Sequence, residues 1–109
     1  MITWEDFEKI DIRIGTILSA TDFPGAKKPA YRLSIDFGSE GIKNSSAQIT
    51  ALYNTESLVG QQVAAVINFP PKQIGNFFSE CLVLGVYNEK QEVVLLQAAQ
   101  IVNNGDKIG

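Results

Sequence analysis

From Tyr31 to Phe37 the chain alternates without a break, with Tyr31, Leu33, Ile35 and Phe37 apolar and Arg32, Ser34 and Asp36 polar. That period of two predicts a strand with one buried face over residues 31–37. Upstream, Ile12, Ile14 and Thr16 alternate with Arg13, Gly15 and Ile17, predicting a strand over residues 11–20. Gly15 in its middle predicts a bulge or sharp bend, where a small barrel turns a corner. Gly38-Ser39-Glu40-Gly41 predicts a turn into a more polar strand over residues 42–50. QVAAVINF (residues 62–69) and residues 81–87 are apolar enough for two further strands. Residues 93–97 form another, paired with its predecessor as a hairpin across residues 88–92.

Two segments read as helical. Trp4, Phe7 and Ile10 share one face of a short helix over residues 4–9, with Thr3 as N-cap and Asp6 three residues later. TALYNTESLVG (residues 50–60) holds a helical turn or short helix ended by Gly60. DFPGAKKPA (residues 22–30) is loop, because two prolines and a glycine interrupt any ladder. The tail carries a turn-forming Asn104-Gly105 pair. Six or seven short strands, with a small helix between the third and fourth, predict a mainly β fold. The expected form is an OB-fold small β-barrel, and at 109 residues a single domain over residues 1–109. That fold binds oligonucleotides on one face in many proteins, although fold alone does not define function.

Composition narrows the chemistry. The chain has no histidine, which removes Ser-His-Asp and Cys-His pairs and imidazole-ligated zinc. No Walker sequence or GxGxxG is present, and neither a catalytic residue, a metal site nor a cofactor is expected. Glu5, Asp6 and Glu8 cluster near a helix start, where negative charge suits the macrodipole better than it suggests acid–base work. The single Cys81 lies in an apolar run and reads as a buried thiol, with a reactive thiol as the alternative. No run approaches a membrane span and the acidic start lacks a signal-peptide pattern, so a cytoplasmic protein without membrane insertion is expected. A net charge of −3 disfavours indiscriminate nucleic-acid binding. Lys27, Lys28, Arg32 and Lys43 nevertheless outnumber Asp36 and Glu40 in one interval, as a basic face or as ordinary solvated surface.

One stretch is unusual for a connector: NFPPKQIGNFFSECLVLGV, residues 68–86. Pro70-Pro71 fixes an extended turn and removes two backbone donors, so Lys72 is presented with little entropy left to lose. Ser79, just before the next strand, can bond a phosphate or ribose. Phe69, Ile74, Phe77 and Phe78 share the same loop region, and those that face outward offer a platform for bases or for an apolar peptide.

The blocks IDFG (residues 35–38), GIKNSSAQIT (41–50) and NFPPK (68–72), with DIRIGTILSA before them, resemble the CsaA family, and the likeness runs from Phe7 to the terminal GDKIG. These are small homologues of the tRNA-binding domain found on some aminoacyl-tRNA synthetases. The resemblance implies an OB-fold core with N- and C-terminal extensions that build a homodimer. It also implies an export-related chaperone that binds unfolded or pre-secretory polypeptide, with tRNA as the ligand of the wider domain. The dimer surface is expected at Trp4, Phe7, Val94, Leu96, Ile101 and Ile108, with capping of the barrel ends as the alternative for these segments. RNA contacts are expected from Lys27, Lys28, Arg32, Lys43 and Lys72 to phosphates, and from Ser45, Ser46, Asn68 and Ser79 as polar partners. Peptide contacts are expected from Phe69, Ile74, Phe77 and Phe78. The chain departs from its relatives at Gln73, where a second basic residue is usual, at Asn76, where glycine is usual, and at Phe78, often basic or polar. Asn76 is expected to keep the turn in a left-handed conformation. The loss of basic residues predicts weaker RNA binding than in a basic relative. A third reading is an assembly module that docks on a larger protein.

Overall fold

The computed structural model describes residues 1–109. Helix α1 (Trp4–Glu8) is capped by Thr3, whose Oγ1 accepts from Asp6 N at 3.1 Å while Thr3 N donates to Asp6 Oδ2 at 2.9 Å. The strands are β1 (Ile12–Asp22), β2 (Tyr31–Asp36), β3 (Ile42–Ala47), β4 (Gln62–Val66), β5 (Lys72–Ile74), β6 (Phe77–Ser79), β7 (Leu82–Val83), β8 (Gly85–Tyr87) and β9 (Val93–Leu95). Helix α2 (Thr55–Leu58) lies between β3 and β4, capped by Asn54, and Leu58 is fully buried at the barrel end. Five strands form an antiparallel sheet in the order β3-β2-β1-β4-β7, and β5-β6 and β8-β9 are separate hairpins. The fold is mainly β, a nearly closed barrel of OB type with two short helices.

The alternation in β2 faces inward as expected: Tyr31, Leu33, Ile35 and Phe37 are all buried with Ile17, Leu58, Val63 and Ala65 in one core. β4 reads as a continuous apolar run because both its faces are covered. Val63, Ala65 and Ile67 point into the core, while Ala64 and Val66 are buried outside that cluster. Ala64 and Ile14 floor an apolar groove of about 650 Å³ beneath Leu96, Ala98, Val102 and Ile108 of the tail.

Four expectations need correction. Gly15 is not the bulge: the register between β1 and β2 shifts between Ile17 and Ser19. Gly15 is required instead by close approach, since a Cβ there would stand 2.7 Å from side-chain atoms of Ile35 and Phe37. The apolar run expected as one strand over residues 81–87 is broken at Leu84 into β7 and β8, which belong to different sheets. The loop after Pro70-Pro71 is a hairpin, β5-β6, pairing Lys72 with Ser79, Gln73 with Phe78 and Ile74 with Phe77. Its left-handed residue is Gly75 at φ 60°, not Asn76, so this turn does not need asparagine to replace glycine.

The tail completes the sheet. Beyond the point where β2 ends, the same edge of β1 is taken by residues 105–108. Ile14 N donates to Asp106 O at 2.9 Å, Gly105 N to Ile14 O at 2.7 Å and Ile108 N to Ile12 O at 2.9 Å. Arg13 secures it by donating from Nη1 to Gly105 O at 3.0 Å, while its Nε bonds Asp11 at 2.6 Å and Glu40 lies 3.9 Å away. The hydrogen bond to Asp11 raises the Arg13 pKa further above its ordinary value.

Gly15→Ala is expected to lower unfolding stability by about 1–3 kcal/mol, the usual range for overpacking a filled core, read from the urea midpoint at constant m-value. An unchanged midpoint would mean that Ile35 and Phe37 yield without strain.

Candidate functional site

Hairpin β5-β6 stands outside the five-stranded sheet and reaches it through polar contacts at its base. Ser46 N donates to Ser79 Oγ at 3.2 Å, Glu80 N donates to Asn44 O at 2.8 Å, and Asn44 N donates to Glu80 Oε1 at 2.9 Å. Ser45 is 1% exposed and its hydroxyl donates to Cys81 O at 3.0 Å. These contacts close the barrel between β3 and β7.

The expected RNA contacts therefore separate into two groups. Ser45 is buried, and its hydroxyl serves the closure, so it is removed from the ligand-facing set. The Ser79 hydroxyl accepts from Ser46 N and is 3.5 Å from Cys81 O, so its hydrogen bonds belong to the fold. Asn68 uses both ends of its amide on the chain: Oδ1 accepts from Asp11 N at 2.9 Å and Nδ2 donates to Lys9 O at 2.7 Å. It ties the end of β4 to the segment behind α1. Lys43 pairs across from Ile35 at the far end of β3, away from the hairpin tip.

Lys27, Lys28, Ser46 and Lys72 do come together. With Gln48 and Gln73 they line a groove of about 570 Å³ between the residue 22–30 loop and the hairpin. Arg32 stands beside it, opposite Ser46 on β3 and Thr21 on β1. None of Lys27, Lys28, Arg32, Lys43 and Lys72 forms an ion pair; the ion pairs are made by Lys9 and Arg13. Unpaired cations on several walls of one groove suit a ligand with repeated negative charge.

Lys72 also borders a second hollow of about 400 Å³, lined by Phe69, Pro70, Leu82 and the segment Ser79–Cys81. Phe69 is 54% exposed and Leu82 49%, so this hollow has largely apolar walls, with Lys72 and Glu80 as the charged residues of its lining. Of the other apolar candidates, Ile74 and Phe77 are half-buried and opposite one another in the hairpin, and Phe78 is exposed beside Gln73 on the other face. Phe77 packs edge-on against Phe23. Phe23 was not among the expected site residues, because an aromatic residue in a Pro-Gly loop carries no periodic signal.

The residues expected at a dimer surface differ in exposure. Trp4 and Ile101 are highly exposed, Val94, Leu96 and Ile108 moderately so, and Phe7 is half-buried. Trp4 and Phe7 share a hollow with Ile2 and Gly109. No helix is long and apolar enough to cross a membrane.

Cys81 is buried, and its thiol lies 3.7 Å from Asn44 O. Burial pushes its pKa up to about 11, opposed by the hydrogen bond with Ser45. It is a protonated, inert thiol near neutral pH.

Both the sequence and the fold have relatives among known proteins. The family model described as "Putative tRNA binding domain" matches residues 12–107. The chain is 35% identical over 105 residues to a methionine–tRNA ligase of Methanococcoides burtonii, covering 96% of this chain and 15% of that enzyme. It thus spans about a seventh of the length of such ligases. Among solved structures, the chaperone CsaA of Bacillus anthracis superposes with TM-score 0.94 at 54% identity, over 100% of this chain and 99% of that one. The CsaA chaperone protein of Picrophilus torridus gives TM-score 0.94 at 53% identity, with both chains fully covered. The class is that of tRNA-binding domains, and within it the chain belongs to the CsaA family.

The raised Cys81 pKa predicts an alkaline loss of stability. The folded state holds the thiol proton more tightly than the unfolded chain, so the contribution is complete below about pH 9 and is lost as pH rises towards 11. Over that interval the wild type should lose roughly 2–3 kcal/mol more than Cys81→Ala, at about 1.4 kcal/mol per pH unit. Parallel pH profiles of the two urea midpoints would show that the thiol ionises freely in the folded protein.

Proposed function

We propose that this protein is a CsaA-type chaperone, a homodimer that holds unfolded or pre-secretory polypeptide in the cytoplasm and performs no chemistry. The observation that carries the reading is the hollow formed by Phe69, Pro70 and Leu82 with Lys72 at its rim. Apolar walls accept the side chains of an extended segment, and the proline-framed wall loses little freedom on binding. The full-length likeness to two CsaA chaperones supports it. The exposed Trp4, Val94, Leu96, Ile101 and Ile108 supply the surface for the second copy.

The test is suppression of aggregation of a chemically unfolded client, with mass read by light scattering on the same sample. Phe69→Ser with Leu82→Ser should abolish suppression, because both side chains are about half exposed and contribute little to the core. Wild-type suppression should persist in high salt, since apolar burial does not weaken there. Full suppression by the double variant would remove this hollow from the function.

A second reading, tRNA binding, is favoured by a separate observation, the convergence of Lys27, Lys28 and Lys72 on one groove. Match to the tRNA-binding family model supports it. Here affinity for bulk tRNA falls as salt rises, and Lys72→Ala lowers the slope of log K against log salt by about 0.7–0.9, the value for one phosphate contact. An unchanged slope would place Lys72 outside the RNA contact.

A further inference from the structure

The lysine groove has two walls, with Ser46 and Gln48 between them, that share no backbone hydrogen bond with each other. One is the loop from Phe23 to Ala30, which carries Lys27 and Lys28; the other is the hairpin β5-β6, which carries Lys72. A two-stranded hairpin is marginally stable alone, and the polar contacts described above hold this one only at its Ser79–Glu80 base. Lys72 lies opposite Ser79 at that anchored base, so the wall that needs a further attachment is the loop with Lys27 and Lys28, and the hairpin tip from Ile74 to Phe77 offers one.

Phe23 makes that attachment. Its ring meets the Phe77 ring edge-on, centroids 5.3 Å apart at 64°. The Arg32 guanidinium lies over the Phe23 ring at 5.4 Å from its centroid. The Phe23 backbone closes the loop as well, donating from N to Ala30 O at 3.1 Å and accepting at O from Ala26 N at 3.2 Å. One half-buried residue thus contacts the loop, the hairpin tip and β2 at once.

We propose that Phe23 is a positioning residue that sets the separation of the two lysine-bearing walls, so that a polyanionic strand meets Lys27, Lys28 and Lys72 together. This rests on the RNA reading of the groove. Phe23 touches no phosphate itself; it acts through its ring, which ties the loop to Phe77 on the hairpin. Arg32, held over the same ring, adds positive charge beside the groove.

The consequence is visible in the salt dependence. Phosphate contacts made together contribute together to the slope of log K against log salt, at about 0.7–0.9 each. In Phe23→Ala the walls separate and a ligand engages one of them at a time. The expected result with bulk tRNA is a slope smaller than wild type by about 1–2 and an affinity at low salt weaker by roughly tenfold or more. Phe23→Tyr keeps the ring and should restore both. Partial unfolding lowers the active fraction; that fraction is read by circular dichroism at each salt concentration and divided out, so the remaining slope isolates positioning from stability.

The titration is run on the full chain for wild type, Phe23→Ala and Phe23→Tyr across a range of monovalent salt. A wild type without salt-dependent tRNA binding overturns the RNA reading, and the positioning role with it. Salt-dependent binding by the wild type with an equal slope in Phe23→Ala overturns the positioning role alone. A reduced slope in Phe23→Ala that Phe23→Tyr restores supports it.

Discussion

The exchange of hydrogen bonds between β3 and the segment from Ser79 to Cys81 is the contact on which the molecule turns. The main sheet runs from β3 to β7, and a barrel results only if those two edges are joined. No backbone ladder joins them; a single backbone bond from Glu80 N to Asn44 O and the side chains of Ser45, Ser79 and Glu80 do. Ser45 is fully buried, and every buried side-chain polar atom has a partner. Removing one would leave the other in an apolar surround, a loss of about 1–3 kcal/mol. The same bonds anchor the base of the hairpin, so the geometry of both hollows starts from the seam.

That seam explains which parts of the molecule could be read from the amino-acid order. β2 was plain because one buried face and one wet face impose a period of two, and α1 because Thr3 and Asp6 form a local cap. Hairpin β5-β6 was not visible: its strands have three residues each and follow two prolines, so neither periodicity nor propensity had room to register. Three of the polar candidates are engaged within the fold for a related reason. Ser45, Ser79 and Asn68 have side chains suited to a ligand, but each bonds a backbone group, mostly far along the chain. A sequence shows that a residue can bond without showing what occupies it. Phe23 escaped notice in the opposite sense, since its contacts with Phe77 and Arg32 exist only in the fold.

Lys72 stands between two environments that ask different things of a ligand. One side offers unpaired cations and amides, the other offers Phe69, Pro70 and Leu82. A single exposed cation can serve both, as a point charge for phosphate or as the polar rim of an apolar hollow. This arrangement also reconciles a net charge of −3 with a basic groove. Much of the acidic surplus lies in or next to α1, at Glu5, Asp6, Glu8 and Asp11, where it caps the helix and pairs with Lys9 and Arg13.

The C-terminal tail has a consequence for how the chain is made. The edge of β1 at Ile12 and Ile14 is an open row of backbone donors and acceptors until residues 105–108 bond to it. During synthesis almost the whole domain must therefore leave the ribosome before that row is covered. In the interval it is a template for pairing with any neighbouring nascent strand. Arg13, reaching Asp11 beside it in the sequence, places a fixed charge on this edge before the tail arrives, and charge on an exposed edge discourages such pairing.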